Sequence, residues 1–220
     1  MSNLNFEQAR FNMIEQQIRT WEVLDQRVLD VLTRTPREDF VPECHRSLAF
    51  ADIQIPLGHG QAMLQPKLEG RILQALALQK TDRVLEIGTG SGYLTACLAK
   101  LAGQVDSVEI HAEFVESARS KIATLGLANI TLAIGDAATG WSPGAPFDAI
   151  AVSASLPVYL EAFQDLLAPG GRLFVVVGSA PAMQAWLITR VGAKDFSREC
   201  LFETVLTPLI NAARPTQFVL

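Results

Sequence analysis

Residues 84–93 read V-L-E-I-G-T-G-S-G-Y, an apolar run with one carboxylate and three alternating glycines. A glycine-rich turn after a buried strand lets backbone approach a nucleotide-like ligand closely. The spacing is G-x-G-x-G, and Tyr93 stands where a dinucleotide fingerprint has its last glycine. No Gly-Lys-Ser/Thr follows, which excludes a nucleoside triphosphate loop. Glu86, two residues before the first glycine, suits a cationic amine better than a pyrophosphate. S-adenosylmethionine carries an amino group and a sulfonium and no phosphate. These residues therefore predict S-adenosylmethionine as cofactor, held by Glu86 and by Gly88, Thr89, Gly90, Ser91 and Gly92.

Two further acids extend the candidate site. Glu109, followed by Ile110, ends the next strand about 20 residues past the loop, where an acid can take both ribose hydroxyls. NAD-binding chains share that feature. Asp136, followed by Ala137, comes after a third strand and reads either as acceptor for the adenine amino group or as a turn or cap acid. Tyr93 and Trp141 read as packing or as a wall beside adenine. His59 reads as a base for a protonatable acceptor or as a solvated loop residue. His45 and His111 show no companion ligands, so no metal site is expected. Cys44, Cys97 and Cys200 are odd in number and far apart, neither a disulfide framework nor a ligand set.

The elements that must position these residues follow from periodicity. Residues 6–35 carry helical spacing with a break near Thr20 and Trp21. "TPREDFVPE" turns at its prolines, and residues 49–66 form a long irregular stretch. Residues 67–79 return to helix. From residue 83 the chain alternates: strand 83–88, helix 91–102, strand 105–110, helix 112–126, strand 130–135, strand 147–154, helix 157–171 and strand 172–178. Such alternation predicts an α/β fold, a mostly parallel sheet covered by helices on both faces. Residues 200–210 and 215–220 are expected as an antiparallel pair at the sheet edge. The expected division is a helical cap and acceptor loop over 1–78 and a cofactor-binding core over 79–220.

At 220 residues with 49% hydrophobic and 19% charged residues, the chain has the composition of a compact globular protein. A net charge of −5 argues against an electrostatic grip on nucleic acid or an anionic membrane. The polar N-terminus lacks a signal-peptide core, and no apolar run approaches a membrane span. A cytoplasmic location is expected.

Taken in order, "MIEQQI", "VLDQRVLDVLTRTPREDFVPE", "AFADIQIPLGHGQ", "VLEIGTGSGY", "VDSVEI", "GDAATGW", "APFDAIAVSA", "LLAPGGRLFVVVG" and "ETVLTPLI" resemble the protein-L-isoaspartate (D-aspartate) O-methyltransferase family. The resemblance implies a Rossmann-like class I S-adenosylmethionine-dependent methyltransferase with a seven-stranded sheet. It also implies methyl transfer to a carboxylate of a damaged aspartyl residue in a protein or peptide. One stretch departs. The family typically reads G-Q-T-I-S-Q/A-P where this chain reads Gly60-Gln61-Ala62-Met63-Leu64-Gln65-Pro66. Both hydroxyls are replaced, at Ala62 and Leu64, which predicts weak or absent activity on isoaspartyl peptides. His59, Ala62, Leu64 and Gln65 are the acceptor-side candidates. The alternatives are a different small or apolar acceptor, or a cofactor-binding protein without catalysis.

Overall fold

In the computed structural model, residues 5–214 are described. The expected helical region at the N-terminus forms in two pieces. Helix α1 (Phe6–Met13) runs on through a π turn and a 3-10 turn to Trp21, and α2 spans Gln26–Arg34. The break falls where expected: Glu22 has φ +61°, a left-handed stop, and Asp25 restarts the helix by accepting the Arg27 N–H at 2.9 Å. The stretch expected to be irregular contains a hairpin instead. Strands β1 (Ile55–Gly58) and β2 (Gln61–Met63) pair antiparallel through a two-residue turn at His59 and Gly60. Both turn residues have positive φ, +51° and +71°, the geometry whose twist suits a tight hairpin. Helix α3 (Pro66–Leu76) follows directly, with Pro66 in the first turn, where no donor is missed.

The core is a seven-stranded sheet in the order β5-β4-β3-β6-β7-β8-β9. Strands β3 (Arg83–Ile87), β4 (Gln104–Glu109), β5 (Ile130–Ile134), β6 (Phe147–Leu156) and β7 (Leu167–Ser179) pair in parallel. Helices α4 (Tyr93–Leu101) and α5 (Ala112–Ala123) carry the first two crossovers, and the short α6 (Glu161–Asp165) precedes β7. The antiparallel edge exists, but not where it was expected. It is formed by β8 (Ala182–Arg190) and β9 (Phe196–Glu203), a plain meander after β7. Residues 204–210 instead run beside Ser155 of β6, whose N–H donates to Thr207 O at 3.0 Å and whose carbonyl accepts from Leu209 at 2.8 Å. The predicted strand 215–220 lies outside the described residues.

One apolar cluster joins the N-terminal elements to the sheet, running from Met13, Ile18 and Leu29 to Phe174 and Val176. The opposite sheet face has its own cluster around Leu85, Ile87, Ile150 and Val175. Strand alternation explains the split: Val84 belongs to the first face, Leu85 and Ile87 to the second. Among the described residues no helix is long and apolar enough to cross a membrane.

Candidate active site

Chain order puts β4 and β5 on one side of β3, and β6 on the other. The β3/β6 boundary is therefore the topological switch point, where open α/β sheets bind ligands beyond the strands' carboxyl ends. A cleft opens there, about 770 Å³ when its solvent-filled mouth is included. It is lined by Gly88, Thr89, Gly90 and Ser91 of the glycine loop, Glu109 and Ile110 after β4, and Asp136 and Ala137 after β5. Ser153 and Ala154 of β6 and Leu209 and Ile210 close one side. Leu57, Ala62 and Leu64 of the hairpin region, together with Glu69 of α3, close the other.

Most of the predicted cofactor residues thus converge, but Glu86 and Gly92 do not line the cleft. Glu86 is fully buried on the opposite face of β3. Register explains its partners: Glu86 pairs with Ser107 across the parallel β3–β4 ladder. Its Oε2 accepts from Ser107 Oγ at 2.6 Å and from Thr95 Oγ1 at 2.5 Å, and Thr89 Oγ1 lies 2.6 Å from Ser107 Oγ. Burial pushes the Glu86 carboxyl up to about 8, a rise that the two hydroxyls oppose and the nearby Glu109 reinforces. Glu86 is thus a tie behind the loop, binding strand β4, helix α4 and Thr89 together, and not the partner of a cofactor amine.

The glycines divide the work differently from the expectation that they clear space for a ligand. At Gly88 (φ +95°) an added Cβ would clash with Ser153 Oγ, which lies 2.9 and 2.6 Å from the carbonyl oxygens of Ile87 and Gly88. At Gly92 (φ +84°) it would come within 2.8 Å of Ala118 Cβ, so this glycine lets α4 start against α5. The backbone N–H of Gly90 is the one that faces the site chemistry, donating to Glu109 Oε2 at 2.9 Å.

Glu109 is nearly buried, and its other oxygen accepts the His111 N–H at 3.0 Å. Asp136 is the turn cap that was one of the two readings foreseen for it. It lines the cleft, and its Oδ1 also caps the following turn by accepting from Ala138 N at 2.9 Å. Tyr93 and Trp141 are both packing residues. Tyr93 is fully buried with the Arg37 guanidinium 4.9 Å above its ring, and Trp141 packs against Gly135.

On the acceptor side, Ala62 and Leu64 line the cleft, together with Gln61 and Met63. Gln65 does not; it is the N-cap of α3, its carbonyl accepting from Leu68 and Glu69. His59 sits at the exposed hairpin tip, away from the lining. Its ring stacks on His111 at 4.3 Å, and Nε2 is 2.5 Å from Glu113 Oε1. The expectation that His111 lacks companion ligands is therefore overturned: the fold brings His59 and Glu113 beside it. His59 lies 52 and 54 residues before His111 and Glu113 and meets them only once the hairpin docks, which spacing alone does not reveal.

Arg37 is the residue that sequence reasoning missed. It lies in a turn between two prolines yet is fully buried. Its Nη2 donates to Leu64 O at 2.7 Å, Nε donates to Ala49 O at 2.7 Å, and Nη1 pairs with Glu69. Arg37 therefore fixes the backbone that presents Leu64 to the cleft.

Among the described residues the lining has three carboxyl side chains, Glu69, Glu109 and Asp136, and no lysine, arginine or histidine. A pyrophosphate would meet no countercharge there. A ligand with a sulfonium, an ammonium and ribose hydroxyls fits this donor and acceptor set, with apolar walls from Leu57, Val108 and Phe114.

Comparison with known proteins gives the family and the fold. Residues 8–213 match the family model described as Protein-L-isoaspartate(D-aspartate) O-methyltransferase (PCMT). A Protein-L-isoaspartate O-methyltransferase 1 of Rhodopseudomonas palustris (strain HaA2) is 40% identical over 94% of this chain and 85% of its own length. A Protein-L-isoaspartate O-methyltransferase of Brucella anthropi is 38% identical over 96% of this chain and 98% of its own. A solved Plasmodium falciparum structure, named for the same enzyme and in complex with S-adenosyl-L-homocysteine, superposes with a TM-score of 0.80. It is 22% identical and covers 94% of this chain and 99% of that one, a likeness of fold. With its class I methyltransferase fold, the chain belongs to the protein-L-isoaspartate (D-aspartate) O-methyltransferase family.

Proposed function

We propose that this chain transfers the methyl group of S-adenosylmethionine to the carboxylate of isoaspartyl residues in proteins or peptides. The observation that carries the reading is a cation-free, acid-lined cleft at the switch point, closed by the hairpin, in a chain of this family. When bound, S-adenosylmethionine supplies an electrophilic methyl group on sulfur. Glu109 would hold the ribose hydroxyls, its position set by the Gly90 and His111 N–H groups. Asp136 would accept from the adenine amino group.

The acceptor needs no general base. A carboxylate with pKa near ~4 is already ionised at neutral pH. What the protein must supply is alignment and exclusion of water. Leu57, Met63, Leu64 and Phe114 would do the second. Residues 1–78 would form the acceptor side and residues 79–220 the cofactor side, with Leu209 and Ile210 completing the wall between them. A different small acceptor, or binding without catalysis, is not favoured, because relatives near 40% identity over nearly the whole chain carry the isoaspartate name.

Calorimetry with S-adenosylmethionine and with NAD, followed by mass spectrometry of an isoaspartyl peptide incubated with enzyme and S-adenosylmethionine, tests the reading. Binding of the first ligand alone and a new peptide methyl ester are expected. NAD binding at similar affinity, or binding of S-adenosylmethionine with no ester formed, contradicts it.

A further inference from the structure

Among the described residues outside the cleft, one cluster of side chains has the chemistry of a ligand site. His59 at the hairpin tip, His111 at the N-cap of α5 and Glu113 in its first turn offer two imidazole nitrogens and a carboxylate oxygen. These coordinating atoms all lie within 4.8 Å of one another. The two rings are stacked 4.3 Å apart at 19°, and Phe114 braces both edge-on, at 5.6 and 5.2 Å. His111 Nε2 is enclosed and has no hydrogen-bond partner, an uncommon state for a buried ring nitrogen. His59 holds φ +51°, a conformation rare for a residue with a side chain, and the turn that imposes it aims the ring at α5.

We propose that His59, His111 and Glu113 bind one divalent transition-metal ion of the zinc class. The set is two histidines and one carboxylate, the nitrogen and oxygen donors that zinc takes at ~2.0–2.2 Å with a solvent molecule as fourth ligand. Tetrahedral ligation at those lengths brings donors to about 3.4 Å apart. The widest pair here closes by about 1.4 Å from its 4.8 Å limit, the 2.5 Å His59–Glu113 pair opens by about 0.9 Å, and side-chain rotation turns the rings out of their stack so that both lone pairs meet the ion. Bound there, the ion would tie the acceptor hairpin to the backbone whose N–H holds Glu109.

The test needs no methyl acceptor and no cofactor, so it stands apart from the assignment of the reaction. In the full chain with Cys44 and Cys200 changed to serine, to remove exposed thiols, Zn²⁺ is titrated calorimetrically and Co²⁺ by visible absorption. One ion per chain is expected, with affinity falling at least ~10-fold in each of His59→Ala, His111→Ala and Glu113→Gln. Hydrogen exchange over residues 55–63 should slow when Zn²⁺ is added to the parent chain and not to His59→Ala. Circular dichroism checks that each variant is folded. Unchanged Zn²⁺ affinity in folded His59→Ala and Glu113→Gln, or no binding by the parent chain at millimolar Zn²⁺, overturns the proposal.

Discussion

The carboxylate of Glu109 accepts the backbone N–H of Gly90 at 2.9 Å, so the acid at the end of β4 and the glycine loop after β3 are locked into one unit. Glu109→Ala removes this bond and, in the proposed mode of binding, the charged acceptor for the ribose hydroxyls. Affinity for S-adenosylmethionine should fall at least ~10-fold, since each hydrogen bond to a charged group contributes ~1.5–3 kcal/mol. Calorimetry on the variant checks it; unchanged affinity would remove Glu109 from the site.

Glu86 gives the stability curve a distinctive sign. An unfolded glutamate ionises near 4.5, whereas burial holds the folded one at about 8. Between those values the folded chain keeps a proton that the unfolded chain has lost, so stability falls as pH rises. Glu86→Gln should remove that contribution, at most ~1.4 kcal/mol per pH unit. Denaturant melts of both proteins across pH 5–8 provide the comparison. Parallel curves would mean that Glu86 is ionised throughout.

Arg37 holds an ion pair with Glu69 and two backbone carbonyls, all out of water. Burial already pushes the Glu69 carboxyl up to about 8, so in Arg37→Ala it takes up a proton, and the carboxyl and two buried carbonyls lose their donor at an expected cost of about 3–5 kcal/mol. Denaturation should also show the acceptor side loosening first, as faster hydrogen exchange at Met63 and Leu64. A loss below ~1 kcal/mol would show that solvent reaches Glu69 readily.

How much of this was readable beforehand follows the kind of signal involved. The parallel core was legible because its strands are short apolar runs separated by helical periods, and strand ends then place Gly88, Glu109 and Asp136 on one rim. The face of β3 was not legible: alternation says that Glu86 and Ile87 point opposite ways, but only the packed helices decide which way is toward the cleft. The β8–β9 meander was not legible because β9 is an edge strand whose residues, Ser197 to Cys200, are exposed and carry no apolar alternation to mark them as strand. Arg37 was hidden by composition, since an arginine between prolines reads as surface turn until its buried partners, Ala49, Leu64 and Glu69, are assembled around it. The histidine cluster was out of reach for the same reason.

The altered acceptor loop makes a quantitative prediction. Ala62 and Leu64 both line the cleft, so an acceptor carboxylate meets apolar surface where the family typically offers hydroxyls. Ala62→Thr with Leu64→Ser should raise turnover on an isoaspartyl peptide and leave cofactor affinity about unchanged. Leu64 is buried, so the double variant should lose about 2–5 kcal/mol of stability and must be assayed well below its melting point. Turnover that stays at the parent level in folded, cofactor-bound variant would show that backbone N–H groups or Gln61 already hold the acceptor.

The most direct measurement compares kcat/KM for methyl transfer from S-adenosylmethionine to two synthetic peptides of one sequence, one carrying an isoaspartyl and the other a normal aspartyl residue. The site described here should methylate the isoaspartyl peptide with a kcat/KM at least ~100-fold above that for its normal isomer, a discrimination of about 2.7 kcal/mol. Equal rates on the two isomers, or no transfer to either by folded protein that binds S-adenosylmethionine, would contradict it.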